Sequence, residues 1–345
     1  MTKENKNKIP RGGKSVVMRL GAGAALLSLC LSLSTVRPSA EGVHTDGTGT
    51  YAYSYGRGMM NESADELTES YSEAESRVAR RKIQYNLPGI PSRYLSSYRQ
   101  LDIKLNGVTL SQPAVVVNGI GYVPLRLVGE TVAGAKVSYN KSTRTATLTA
   151  NGLSMSIADG GYVIYANNRP LFSFSPSILM SNGRMYVPAS ALFKALGITY
   201  SGFSDTAVTL TGSYKPLKSA SSYYREDEVY WLSKIISAES SGESLLGQIA
   251  VGDVIMNRVK SNAYPNTIYS VIFDKKYGVQ FSPTADGRIY ANATYTATLA
   301  AKICLEGISL SDDAMYFLNP KVAESNWIVK NREYTYTIGN HDFYK

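Results

Sequence analysis

Ile235-Ile236-Ser237-Ala238-Glu239-Ser240-Ser241-Gly242-Glu243 is the stretch on which the fold turns. The apolar run from Val229 to Ile236 reads as a helix that delivers a carboxylate at its end. Gly242-Glu243 breaks it, and a second apolar helix begins near Ser244. A glutamate at the end of a buried helix suits a general acid, because apolar neighbours disfavour its charged form and let it hold a proton near neutral pH. In the second helix Leu246, Ile249, Ala250 and Val254 share one face, which must pack toward the first. Further helices are expected over 267–273 and 293–306, and extended segments over 315–318 and 334–338. The class of this part is α+β, lysozyme-like.

Which chemistry do these residues permit? The chain has two histidines, His44 and His341, too few to build a zinc site of imidazole ligands. Its two cysteines are Cys30 and Cys304. Cys304 lies in Ala300-Ala301-Lys302-Ile303-Cys304-Leu305, an apolar helical run where a thiol packs as core instead of ionising as a nucleophile. Carboxylate chemistry is left. Hydrolysis of a glycosidic bond ordinarily takes two carboxyl groups. Glu239 and Glu243 are four apart, but the Gly242 break means that they need not share a face. Glu243 either orients a substrate or sits at the start of the second helix, where negative charge is favoured. Asp286, in Thr284-Ala285-Asp286-Gly287, reads as a turn residue.

More of the chain belongs to the same pattern. Gly247-Gln248-Ile249-Ala250-Val251-Gly252-Asp253-Val254-Ile255-Met256-Asn257-Arg258-Val259 is followed by Val279-Gln280-Phe281-Ser282-Pro283 and by Tyr316-Phe317-Leu318-Asn319-Pro320. The chain ends Ile338-Gly339-Asn340-His341-Asp342-Phe343-Tyr344. In this order and spacing, over about 226–345, these motifs resemble the SleB-like cell wall hydrolases, the family of the spore cortex-lytic enzymes. The resemblance implies cleavage of the peptidoglycan glycan strand, with the family's catalytic glutamate at Glu239. Where the family often has Gly-Glu-Ala-Arg-Gly-Glu, this chain has Ala-Glu-Ser-Ser-Gly-Glu, keeping both acids and lacking the Arg. It also implies the lytic transglycosylase reaction at MurNAc–GlcNAc β-1,4 bonds. There one carboxylate suffices, because the sugar's own 6-hydroxyl replaces the attacking water. Around Glu239, substrate contacts are expected from Glu243, Gln280 and Asn319 by hydrogen bonding, and from Phe281, Tyr316 and Trp327 by stacking on sugar rings. His341 is expected to make a structural hydrogen bond. No metal or other cofactor is expected.

The preceding stretch, 101–213, carries an internal repeat. Gly121-Tyr122-Val123-Pro124-Leu125 recurs as Met185-Tyr186-Val187-Pro188-Ala189, each followed by a short helix and a terminating Gly, Gly134 and Gly197. Strands close each unit at Ala146-Thr147-Leu148-Thr149 and Val208-Thr209-Leu210-Thr211. Asn106-Gly107, Asn118-Gly119, Asn151-Gly152 and Asn182-Gly183 mark hairpins. This β-rich α/β unit resembles the copper amine oxidase N-terminal-like domain of secreted bacterial proteins. It contains no histidine to ligate copper, so it reads as an accessory module without chemistry.

The chain's 345 residues suffice for two such domains plus tails. Residues 1–40 read as a secretory signal: a basic segment, Lys3 to Arg19, precedes the apolar run Leu20–Leu33, which is too short for a comfortable membrane span. Residues 41–100 read as a linker with a helix over 62–82, and 214–224 as a second linker before the catalytic domain at 225–345. Of the net charge of +9, residues 1–40 carry +6, 41–100 carry −1, 101–220 carry +6 and 221–345 carry −2. The accessory domain therefore suits anionic wall polymers, while no nucleic-acid motif accompanies the charge. The expectation is a secreted or wall-associated, multi-domain, peptidoglycan-cleaving enzyme. The alternative is a noncatalytic wall-binding protein that retains the fold.

Overall fold

The computed structural model describes residues 99–345 except Asn118, Asn182 and Glu324. The signal expected at 1–40, and the linker with its helix over 62–82, lie outside the described residues.

The accessory region is two sheets and two helices. Strands β1 (Arg99–Leu105), β2 (Val108–Thr109), β3 (Ala114–Val117) and β4 (Ile120–Pro124) lead into helix α1 (Leu125–Ala133). A meander follows, with β5 (Lys136–Asn140), β6 (Thr145–Ala150), β7 (Leu153–Ala158), β8 (Val163–Ala166) and β9 (Arg169–Phe172). Then come β10 (Leu179–Ser181), β11 (Arg184–Pro188), α2 (Ala189–Leu196), β12 (Thr199–Phe203) and β13 (Ala207–Thr211). The meander strands form one antiparallel sheet in sequence order. The others run β10-β11-β4-β3-β1-β13-β12, with β2 beside β1.

The two Tyr-Val-Pro segments are neighbours: β4 and β11 pair antiparallel, with Tyr122 opposite Pro188 and Tyr186 opposite Pro124. Each proline ends its strand and caps a helix, where its missing N–H and fixed φ suit the turn. Gly134 and Gly197 close those helices in the left-handed conformation, at φ 58° and 66°. At Gly197 a side chain is also barred by space, since a Cβ would fall 2.1 Å from the Lys215 carbonyl oxygen. β1 then pairs parallel with β13, setting Ile103 beside Val208 and joining the two ends of the region. Leu101, Ile103, Val123, Leu148, Leu192 and Phe193 are among its fully packed core residues.

The C-terminal region is built on three helices, α4 (Glu226–Ser240), α5 (Leu245–Lys260) and α8 (Tyr295–Leu305). Gly252 lets them approach: a Cβ there would lie 2.7 Å from Cys304 Sγ on α8 and 2.8 Å from Ile236 Cδ1 on α4. Between them in sequence lie α6 (Ile268–Ile272), α7 (Pro283–Asp286) and a 3-10 turn at Arg288–Tyr290. A short sheet of β14 (Tyr316–Leu318), β15 (Tyr334–Ile338) and β16 (His341–Tyr344) completes the region, ordered β14-β16-β15. Hydroxyl caps set the starts of α5, α6 and α8: Ser244, Thr267 and Thr294 accept from the backbone N–H three residues on. Strand β16 and the short helix α9 (Trp327–Asn331) were not among the expected elements. Four and five residues are too few to establish a period.

The stretch 214–224, expected as a linker, is packed against both regions. Tyr214 and Leu217 lie on the accessory core, α3 (Ala220–Tyr223) follows, and Tyr224 donates a hydrogen bond to Glu306. Glu306, after α8, is also gripped by Arg169 of β9 (Nε and Nη2 at 2.7 and 2.8 Å) and by Lys194 of α2 (2.7 Å). The Tyr223 ring covers the Arg169 guanidinium at 3.3 Å. Arg169 and Glu306 are only 3% and 8% exposed, so this is a buried ion network spanning the two regions. Tyr162, Val163 and Phe172 of the accessory sheet share one apolar cluster with Leu232, Ile249 and Ala300 of the helices.

Candidate functional site

Glu239 stands in the last turn of α4, after Leu232, Ile235 and Ile236 have turned the apolar face of that helix into the core. Its carboxyl group is half-buried, and no hydrogen bond to it occurs among the described residues. Burial raises its pKa to about 7; nearby Arg288 partly offsets the rise and Asp286 adds to it. A carboxyl group so placed is substantially protonated at neutral pH.

The wall beside it is tied to α4 by side chains. Lys234 Nζ donates to the carbonyls of Tyr290 (3.3 Å) and Ala291 (2.5 Å), and Ser237 Oγ accepts from the Thr294 N–H at 3.1 Å. Arg288 fastens the turn: Nε to Asp286 Oδ2 at 2.8 Å, Nη2 to Ser282 Oγ at 3.2 Å, Nη1 to the Ala238 carbonyl at 3.4 Å. Asp286 is therefore a turn residue, as its Asp-Gly context implies. Hydrogen bonds from the Arg288 backbone and side chain hold its carboxyl below the usual range. The carboxylate on this wall is thus ionised and already paired.

Glu243 has structural partners that the sequence did not show. Its oxygens accept from the Asn340 N–H (3.1 Å) and Asn340 Nδ2 (3.0 Å), and Oε1 lies 3.6 Å from His341 Nδ1. The N-cap of α5 is Ser244, and both Glu243 carboxylate oxygens are engaged by Asn340. Glu243 positions the β15–β16 turn against the α4–α5 turn. Burial lowers the His341 pKa despite the pull of Glu243 and Asp342, so the imidazole is neutral at pH 7. Gly339 makes the approach possible: its φ is +57°, and a Cβ would sit 1.9 Å from Glu243 Oε2. Gly339→Ala is accordingly expected to destabilise the protein by about 1–3 kcal/mol, checked by thermal unfolding.

Phe281 corrects the sequence reading. It is 3% exposed and lies in the helical core, near Phe317, so it offers no free face to a sugar ring. Its neighbours in sequence point to two different clusters. Ser282 belongs to the Arg288 wall. Gln280, half-buried, accepts from Arg258 Nη1 at 3.5 Å and donates to the Gly278 carbonyl at 3.1 Å. Tyr316 lies by Arg258, accepts from the Tyr264 hydroxyl at 2.9 Å, and has Trp327 with its ring centre 6.5 Å away. Trp327 is 51% exposed and available for stacking. Asn319 Oδ1 accepts from the Lys321 N–H at 3.0 Å, which shapes the turn after β14.

Some residues were quoted in the motifs without a role. On α5, Asp253 Oδ2 accepts from the N–H groups of Leu310 and Ser311 at 2.8 and 3.0 Å, and Asn257 Nδ2 donates to the Ser311 and Ala314 carbonyls. The two lie four residues apart, on one helix face, and anchor the segment leading into β14. Arg258 adds a bond from Nε to the Met315 carbonyl at 2.8 Å. The charged side chains interrupting an apolar helix were the available sign. Cys304 is buried and burial pushes its thiol well up, so it is no thiolate nucleophile.

With this geometry in place, comparison with known proteins gives the class. Residues 242–344 match the cell wall hydrolase family, beginning three residues after Glu239, and residues 103–209 match the copper amine oxidase N-terminal domain. The C-terminal region thus carries a cell wall hydrolase domain, behind a copper amine oxidase N-terminal domain. Among its relatives, the spore cortex-lytic enzyme of Bacillus cereus is 38% identical over 122 residues, 35% of this chain and 46% of that protein. That of Bacillus subtilis is 34% identical over 120 residues, 35% and 38% of the two. The catalytic domain of the germination-specific lytic transglycosylase SleB from Bacillus anthracis shares 38% identity, covering 35% of this chain and 97% of that structure, with a TM-score of 0.32. The chain spans less than half the length of the curated relatives it matches.

Proposed function

We propose that this protein is a secreted or wall-associated enzyme that cleaves the glycan strands of peptidoglycan at MurNAc–GlcNAc β-1,4 bonds, as a lytic transglycosylase with Glu239 as its single catalytic acid and base. The observation that carries this is the half-buried, largely protonated Glu239 with no free second carboxylate beside it among the described residues: Asp286 is bound to Arg288, and Glu243 to Asn340. The Glu239 carboxyl gives its proton to the glycosidic oxygen as the bond to C1 breaks. The resulting carboxylate takes the proton of the same sugar's 6-hydroxyl, and O6 closes on C1 to form the 1,6-anhydro ring. Glu239 ends protonated, as it began, and no water is consumed. The reaction needs no metal or cofactor.

The proposal extends to the architecture. The catalytic region is lysozyme-like, and the two strand–helix units at 120–133 and 184–196 are copies of one internal repeat. The accessory domain holds anionic wall polymers. The net charge of +6 over residues 101–220 supports this.

The test is a digest of purified peptidoglycan with the full chain, its fragments identified by mass spectrometry. Glycan fragments ending in a muramic acid residue, absent with Glu239→Gln, are expected. Release of peptides alone, or the same fragments from both proteins, would sink the proposal.

A further inference from the structure

Two arginines of the catalytic region lack an acidic partner. Arg258, at the end of α5, is 5% exposed; beyond its bonds to the Met315 carbonyl and Gln280 it is enclosed by rings. Its guanidinium carbon lies 5.0, 5.1 and 5.4 Å from the centres of Tyr264, Phe281 and Tyr316. Arg332, just past α9, lies 4.6 Å from the Tyr316 ring centre and 5.0 Å from that of Trp327, and its buried Nε has no hydrogen-bond partner. Both cations therefore contact one tyrosine. Neither forms an ion pair with a carboxylate among the described residues.

Desolvated charge of one sign is costly, and aromatic faces compensate only part of it. That the stretch 221–345 is itself slightly acidic makes the pairing of two uncompensated cations more telling. A guanidinium fork matches a carboxylate. Along the chain, Gln280 touches Arg258 while Ser282, two residues on, is held by Arg288, whose Nη1 reaches the carbonyl of Ala238, next to Glu239.

We infer that Arg332, with Tyr316 and the enclosed Arg258 behind it, forms a carboxylate subsite that takes the peptide stem of the glycan strand. This rests on the proposed cleavage of that strand. The stem hangs from the lactyl arm of muramic acid, the sugar at the scissile bond, and bears free carboxylates. With the scissile bond at the acid, the stem extends along the 280–282 stretch toward these guanidinium groups. Exposed Trp327 forms its outer edge.

The experiment is calorimetric binding to full-length protein carrying Glu239→Gln, which leaves the probe uncleaved. The probes are the GlcNAc–MurNAc disaccharide with a tetrapeptide stem, the same molecule with its stem carboxylates converted to carboxamides, and the stem-free disaccharide with a bare lactyl carboxylate. The acid stem is expected to bind about tenfold more tightly than its carboxamide. Arg332→Gln, with an unchanged melting temperature, should abolish that preference and Arg332→Lys restore part of it. Equal binding of acid and amide, no binding of either, or a preference that survives Arg332→Gln overturns the subsite. Stem-free disaccharide binding as tightly as the acid stem overturns the stem assignment in favour of the lactyl group. Wall cleavage by the wild type, measured separately, decides whether the proposed activity itself stands.

Discussion

Glu239→Gln is expected to lower glycan cleavage by about 10²–10⁴-fold, the usual worth of a positioned general acid–base, without loss of fold. The amide keeps the shape of the side chain and cannot donate a proton. Because the wild-type carboxyl titrates at about 7, cleavage should decline as pH rises past that value, provided Glu239 is the acid that limits the rate. Stability carries a second signature. The folded pKa exceeds the unfolded one, so between the ordinary glutamate value and about 7 the folded state binds more protons. Stability from this group is full at low pH and is lost as pH rises through that window. The melting temperature of Glu239→Gln should therefore gain on that of the wild type between pH 4 and pH 8. Rate against pH, and thermal unfolding of both proteins at the two pH values, check these outcomes. An unchanged stability difference would mean that the group does not titrate as the site implies.

Glu306→Gln is expected to have the largest effect on stability. The mutation leaves Arg169 buried beneath Tyr223 with its ionic partner gone. Breaking a buried pair from one side costs about 3–5 kcal/mol. For a body of this size that is a fall of about 10 °C in melting temperature. Removing both charges is different: Arg169→Met with Glu306→Leu should recover most of the loss, because no charge is then left unpaired in the core. Burial by itself would raise the Glu306 pKa. Hydrogen bonds from Arg169, Lys194 and Tyr224 outweigh it and hold the carboxyl below its usual range. The stabilisation it provides is present above the ordinary glutamate value and is lost on acidification through the depressed one. Melting temperatures of the single and double variants, measured at neutral pH and at pH 3, test the network. A double variant no better than Glu306→Gln would contradict it.

That network also shows where the sequence stops being legible. Local features were readable: Tyr-Val-Pro before each accessory helix and the glycines that end them act on residues a few positions away. The carboxylate at the end of α4 was readable too, because an apolar run delivering one acid has few purposes. Arg169 and Glu306 are 137 residues apart, and nothing near either one announces a partner. The stretch 214–224 looked like a linker because it is polar. Tyr223 and Tyr224 in fact fold over the ion pair. Phe281 was misassigned, and the partner of Glu243 missed, for a related reason. Residue type and proximity to Glu239 suggested substrate contact, but Asn340 claims the carboxylate from the far end of the chain and the helical core claims the ring. Arg258 and Arg332 form a cluster only because β14 brings Tyr316 between them.

The most direct measurement of the proposed reaction is digestion of peptidoglycan in H₂¹⁸O, followed by mass spectrometry of the new glycan ends. Closure of the ring by the 6-hydroxyl predicts 1,6-anhydro-muramic ends, one water lighter than reducing ends and free of ¹⁸O. Reducing ends carrying ¹⁸O would mean that water attacks C1, would require a second carboxylate, and would contradict a mechanism resting on Glu239 alone.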